Sequence, residues 1–144
     1  MLRILLAAGL GAAVGIEREL REHEAGVRTH MLVAVGSALF TLVSAYGFGD
    51  FFAQGSGPFV PVDPTRIAAQ IVTGIGFLGA GAIIRHGPNV RGLTTAATLW
   101  AVAAIGLSAG AGFYAGAIAT TIVVIFALWP LRMVTKRVLG RDHE

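Results

Sequence analysis

The chain has 144 residues, of which 55% are hydrophobic and only 13% charged, with 20 glycines, no cysteine and a mean hydropathy of +0.73. That balance is too apolar for a soluble single-core domain, and the missing cysteine excludes a disulfide framework, a thiolate metal centre and a thiol nucleophile. The formal charge of +3 comes without a basic soluble module, so no nucleic-acid partner is expected, and the composition points to a multi-pass membrane protein.

Residues 2–20 predict the first span. Arg3 followed by an apolar run also fits a signal peptide, but further spans follow that need insertion anyway, so the segment is read as a helix. Glu17 and Arg21 are spaced for an i,i+4 pair that would carry the helix through Glu24, to stop near Ala25 with Gly26 as its cap. Ala7, Gly11 and Gly15 form a stripe of small residues for a packed interface. Thr29 is the expected N-cap of a second span over 30–48, on which Ser37, Thr41 and Ser44 can bond to carbonyls of their own helix. The loop from Gly49 to Val62 contains no Lys or Arg.

The third span, 65–85, is the most strongly marked. Asp63 can accept hydrogen bonds from the first-turn N–H groups and Pro64 suits the first helical position, after which Ile67 to Ile84 carry no charge. On a helix, Arg66, Gln70, Thr73, Phe77 and Gly81 share one stripe, expected to face protein or water and not lipid. Gly74, Gly76 and Gly79 spell GxGxxG, but no acidic residue lies between Asp63 and Asp142 to hold a ribose, so close helix packing is the better reading than a dinucleotide turn. Pro88, in the turn cluster Arg85 to Asn89, ends this span.

A fourth span is expected over 91–107, with Thr94, Thr95 and Thr98 continuing the Arg91 face, and a fifth over 112–133. Gly106 with Gly110 and Gly112 with Gly116 add GxxxG pairs. The expected fold is an all-α integral membrane bundle of five helices occupying residues 1–144 as one transmembrane domain. Basic residues follow spans one, three and five, at Arg18, Arg21, Arg28, Arg85, Arg91, Arg132, Lys136, Arg137 and Arg141, which puts the N-terminus outside and the C-terminus in the cytoplasm. Tyr46 and Tyr114 would then lie near the outer surface and Trp129 near the inner one, while Trp100 is expected to pack inside. Leu10–Arg18 resembles Leu78–His86, and each is followed by Val-Arg before the next span. The pattern fits either a parallel repeat of two helix hairpins or chance likeness between two Ala- and Gly-rich stretches.

Two polar clusters emerge. The cytoplasmic one gathers Glu17, Arg18, Arg28, Thr29, His30, Arg85, His86, Arg91, Thr94 and Thr95; a carboxylate near hydrocarbon needs a partner, and Arg91 or Arg85 would give Glu17 one and join the two hairpins. The outer cluster is Asp50, Asp63, Arg66 and Gln70. Helix packing is assigned to Gly11, Gly15, Gly74, Gly76, Gly79, Gly81, Gly112 and Gly116, more small-residue surface than five short helices need internally, so a homo-oligomer within the lipid bilayer is expected. Mg²⁺ is a candidate ligand, yet it favours carboxylate and water oxygens and no acidic cluster lies at membrane depth, so no metal site is assigned. HExxH is not present, and no enzyme is expected.

Gly15–Glu19 (GIERE), Arg28–Val33 (RTHMLV), Asp63–Ile84 and Val90–Gly106 together resemble the MgtC/SapB family of bacterial membrane proteins across nearly the whole chain. The resemblance implies an inner-membrane protein tied to growth in low magnesium and to survival inside host cells, hence virulence, and in some members to restraint of the F-type ATP synthase. It singles out Glu17, Arg28, Thr29, His30, Asp63, Arg66, Gln70, Arg91, Thr94 and Thr95. Long members carry a soluble C-terminal domain, so this sequence is expected to be a short form without it. The favoured expectation is a non-enzymatic protein of magnesium homeostasis that contacts another membrane complex; the alternative is a transporter or channel for Mg²⁺ or protons.

Overall fold

A computed structural model of the protein describes residues 1–48, 63 and 65–129. The expected loop 49–62 with Asp50, Pro64, the end of the fifth span and the basic tail lie outside the described residues. Among the described residues the apolar runs fold as five helices, α1 (Leu2–Glu19), α2 (Val27–Tyr46), α3 (Arg66–Ala82), α4 (Leu93–Ala111) and α5 (Tyr114–Leu128). Between α3 and α4 lie two short strands, β1 (Ile84–His86) and β2 (Asn89–Arg91). Among the described residues, α2 and α4 are long and apolar enough to cross a bilayer by themselves, whereas α3 and α5 are shorter apolar helices of 17 and 15 residues.

Several boundaries differ from the expected ones, each for a local reason. The first helix stops at Glu19 and not Glu24, because the chain must turn back early enough for Glu19 Oε2 to accept the free N–H of Val27 at 2.7 Å. Gly26 is therefore the N-cap of α2 and not the end of α1, and Thr29 sits in the first turn of α2 and does not cap it. Asp63 does not cap α3 either: its Oδ1 accepts the Thr65 N–H at 2.9 Å and the Thr65 hydroxyl at 2.6 Å, a turn that leads into the helix, and Thr65 occupies the N-cap position.

The third helix ends at Ala82, short of the expected Arg85. Ile84, Arg85 and His86 pair antiparallel with Arg91, Val90 and Asn89 across a two-residue Gly87-Pro88 turn, so the expected all-α fold acquires one small hairpin. Gly92 then turns the chain into α4 with φ +83, in contact with the Ala82 carbonyl, where a side chain would be both strained and blocked. Leu10–Arg18 is helical throughout while Leu78–His86 breaks into a strand, so the two stretches compared in sequence have different structures.

α4 is the central helix and packs against all the others. Its one side joins α1, α2 and α5 around Ala7, Val14, Ala34, Ala38, Val102 and Ile105; its other side receives α3 through Ile75, Leu99 and Ala103. Small residues let the backbones meet. A Cβ on Gly11 would lie 2.7 Å from the Ala34 Cβ, one on Gly15 2.6 Å from the Val27 Cα, and one on Gly110 2.6 Å from the Ala38 carbonyl oxygen. Gly106 sits equally hard against Ala34.

The other glycines expected to pack behave differently. Gly79 only approaches Ala96, at 3.7 Å, and Gly74, Gly76 and Gly81 meet nothing within 4 Å among the described residues. Gly112 terminates α4 with φ +88 near the Arg3 guanidinium, and Gly116 meets Phe113 one turn before it in the chain. Trp100, expected inside, is 54% exposed.

Candidate polar site at one end of the bundle

The end of the bundle formed by the last turn of α1 and the first turns of α2 and α4 buries ionisable groups. Glu17 and Arg18 are 8% and 2% exposed and His30 is fully buried. Consecutive helical positions point about 100° apart, so for Glu17 and Arg18 both to be buried the helix end must be covered on two sides, which α2 and α4 together supply. Glu17 pairs with Arg21 one turn on, Oε1 to Nε, and lies 3.5 Å from Arg18 Nη1 through Oε2. The expected pairing of Glu17 with Arg85 or Arg91 is therefore corrected: the β-hairpin carries both arginines out to the surface, and the partners are Arg18 on Glu17's own helix and Arg21 in the turn that follows it.

His30 ties two helices together. Its Nδ1 lies 2.9 Å from the Gly26 carbonyl and its Nε2 3.1 Å from Thr98 Oγ1 on α4. A carbonyl only accepts, so Nδ1 carries a proton and donates it to Gly26. The Thr98 hydroxyl donates to the Thr95 carbonyl at 2.9 Å, and Glu17 and Arg18 lie within electrostatic reach of the ring. Of the residues expected in this cluster, the structure brings together Glu17, Arg18, His30 and Thr95 in the interior, whereas Arg28, Thr29, Arg85, Arg91 and Thr94 are exposed around its rim. Thr98 belongs to the buried group. Its i+3 spacing from Thr95 was a visible signal, but nothing in the sequence says that His30 would meet it.

At the opposite end the expected trio of Asp63, Arg66 and Gln70 is exposed. Hydrogen bonds from the Thr65 hydroxyl and N–H hold the Asp63 carboxyl below the usual carboxylate range. The stripe Arg66, Gln70, Thr73, Phe77 and Gly81 points away from the bundle, the intramolecular face of α3 being Ile71, Ile75, Gly79 and Ala82. Sequence reasoning missed a second polar knot at this end. Arg3 donates from Nη1 to the Gly110 carbonyl at 2.9 Å and from Nε to the Tyr114 hydroxyl at 3.3 Å, with its guanidinium 5.9 Å from the Tyr46 ring centre. One side chain thus joins the ends of four helices, and its partners stand more than 40 residues away in sequence. Among the described residues no three His, Cys, Asp or Glu side chains come together as a metal site would need.

Buried charge at one end, an arginine knot at the other and apolar outward faces between them define a small helical bundle of the membrane-protein class. The model of the MgtC family matches residues 4–137, and the chain belongs to that family. It is 44% identical over its whole length to a protein of Escherichia coli K12 named "Putative magnesium transporter YhiD", covering 66% of that protein. It is 48% identical over 96% of its length to "Protein MgtC" of Salmonella typhimurium LT2, covering 54% of it, and 50% identical over 81% of its length to "Protein MgtC" of Brucella abortus, covering 44%. The chain thus spans about half to two-thirds of the length of these curated relatives. No solved structure matches it.

Proposed function

We propose that this chain is a multi-pass protein of the bacterial inner membrane, with its N-terminus outside and its C-terminus in the cytoplasm, that serves magnesium homeostasis without catalysis by contacting another membrane complex. The F-type ATP synthase is the candidate partner, and homo-oligomers are the expected resting form. Large apolar side chains point outward all round the bundle, among them Leu5, Leu32, Phe40, Phe77, Ile122 and Phe126. Such a surface suits hydrocarbon and is untenable in water.

The observation that carries the docking role is the contrast between a filled centre and an open flank. Between the two polar ends the interior is occupied by Ala34, Ala38, Val102, Ile105 and Ala109, with helix backbones in direct contact, and the buried hydroxyls of Thr41 and Thr121 are turned onto carbonyls of their own helices. That packing favours a binding surface over a conduit. The exposed side of α3 meanwhile carries Gln70, Thr73 and open glycines, polar and small groups that in a bilayer are best satisfied by another helix. The second reading, a transporter for Mg²⁺ or protons, is favoured by the magnesium transporter name of the YhiD relative and by the buried Glu17–Arg18–His30 group.

Liposomes holding the purified protein separate the two. The expected result is no Mg²⁺ or proton flux above empty liposomes, together with recovery of ATP synthase subunits when the tagged protein is extracted from its own membranes. Flux abolished by Glu17→Gln would establish the transporter reading and overturn the docking one.

A further inference from the structure

His30 stands in a line of three polar contacts that runs from α2 to α4. The Gly26 carbonyl lies 2.9 Å from Nδ1, Nε2 lies 3.1 Å from Thr98 Oγ1, and that oxygen lies 2.9 Å from the Thr95 carbonyl. The ring is fully buried and Thr95 and Thr98 are each 4% exposed, so the line is closed to bulk solvent.

Its protons can be counted. Each hydrogen bond places one proton between two heavy atoms, and the carbonyls at the two ends of the line bring none. A neutral imidazole and a hydroxyl bring two protons for three contacts. The ring's proton sits on Nδ1, facing Gly26. The single hydroxyl proton then serves either Nε2 or the Thr95 carbonyl, and the contact left over sets two acceptors against each other at hydrogen-bond distance. An imidazolium supplies the missing proton: Nδ1 donates to Gly26, Nε2 donates to Thr98, and the Thr98 hydroxyl donates on to Thr95, so all three contacts are filled at the distances observed.

The surroundings neither forbid this charge nor fix it. α2 packs against α1, α4 and α3. Among the described residues, the charged side chains that act on the ring are both on α1: the Glu17 carboxylate favours a positive ring and the Arg18 guanidinium opposes it. α4 has no ionisable side chain from Leu93 to Ala111, Arg66 of α3 belongs to the opposite end of the bundle, and Arg28 on α2 itself is exposed on the rim. Burial and Arg18 work against the second proton, whereas Glu17 and the filled line of hydrogen bonds work for it.

We propose that His30 is a proton-binding site that ties α2 to α4: as the pH falls, Nε2 takes a proton from water and donates it to Thr98 Oγ1, and the Thr98 hydroxyl settles on the Thr95 carbonyl. When that proton leaves, the hydroxyl turns to Nε2 and the bond within α4 is lost. The site goes beyond the docking and transport readings and depends on neither. It holds a proton at one end of the bundle only, because Ala34, Val102 and Ile105 fill the interior beyond it.

Nitrogen-15 NMR of the full chain in nanodiscs, with labelled histidine, reads the protonation of each ring nitrogen against pH. The signals that vanish in His30→Gln identify this ring. Nδ1 is expected to stay protonated throughout, while Nε2 gains its proton within the range over which circular dichroism shows intact helices. Removing the acceptor should weaken proton binding. A hydrogen bond from a charged donor is strong enough that Thr98→Val should lower the proton affinity about tenfold, about one pH unit on the titration. Thr98→Ser, which keeps the oxygen, should titrate as the wild type does.

A wild-type Nε2 that does not change protonation at any pH at which the bundle is folded overturns the proposal, whatever the variants do. An unshifted titration in folded Thr98→Val overturns it as well, since Thr98 would then not be the acceptor. A shift in Thr98→Ser as large as that in Thr98→Val would assign the effect to packing and count against it equally.

Discussion

The core formed by α1, α2 and α4 and the flanking helix α3 use similar residues to opposite ends. In the core, Gly11, Gly15, Gly106 and Gly110 are pressed against a neighbouring backbone, and Glu17, Arg18 and His30 are buried. On α3, Gly74, Gly76 and Gly81 meet nothing within 4 Å, and Arg66 and Gln70 are exposed. Glycine in a helix interior costs about 1 kcal/mol relative to Ala. In the core close approach offsets that cost, whereas on α3 nothing within the described residues does, which is why the exposed side of α3 is the surface proposed to meet a partner.

The largest break of this contrast should come from the buried charges. Removing one member of a buried, paired group typically costs about 3–5 kcal/mol, so Glu17→Ala is expected to destabilise the bundle on that scale, read as a loss of thermal midpoint in mild detergent. Overpacking comes next. Gly106→Leu drives a side chain into the Ala34 backbone, and a loss of about 3 kcal/mol or a failure to fold is expected. A substitution there that left the thermal midpoint unchanged would contradict the packing described for α2 against α4.

His30→Ala removes both the Gly26 and the Thr98 bonds and leaves a void, with an expected loss of about 2 kcal/mol. His30→Gln, which can reach one of the two partners, should lose less. Gly76→Ala sharpens the comparison from the other side: with open space around it, the monomer should be unchanged or gain up to about 1 kcal/mol. If the α3 face docks a partner as proposed, the same variant reduces co-purification without loss of fold.

The smallest effect belongs to Asp63, which is fully exposed. Because Thr65 holds its carboxyl below the usual range, the folded chain keeps Asp63 ionised to lower pH than the unfolded chain does. Its contribution is therefore present at neutral pH and lost as the pH falls through the folded value. Thermal midpoints of the wild-type protein and Asp63→Ala should differ slightly at neutral pH and converge in acid; divergence in acid would reverse the assignment.

Much of the architecture was legible in the chain itself. Uninterrupted apolar runs separated by Gly, Pro and charge announced the helices, and the four motifs from Gly15 to Gly106 pointed to the family that the whole-chain match then showed. The membership of the buried polar group was partly legible too: Glu17, Arg18, His30 and Thr95 were selected by their place at the ends of apolar runs, and they are the ones found inside. Pairing was not. Glu17 was matched with Arg85 or Arg91 because they fall at one end of the bundle, but reach depends on the three-dimensional path, and the β-hairpin takes both arginines outward. The Glu19 bond that starts α2 and the Arg3 knot escaped notice for the same reason, since neither has a spacing signature.

The sequence by itself therefore determined the helices found among the described residues, their apolar character and which of them end in charge, because these follow from composition and local propensity. Which glycines are filled and which polar side chains are buried were decided only by tertiary structure. GxxxG reads the same on α4, where it meets a neighbouring backbone, as small residues do on α3, where it is the neighbour that is missing; only the placement of α4 at the centre, with α3 on its flank, separates the two.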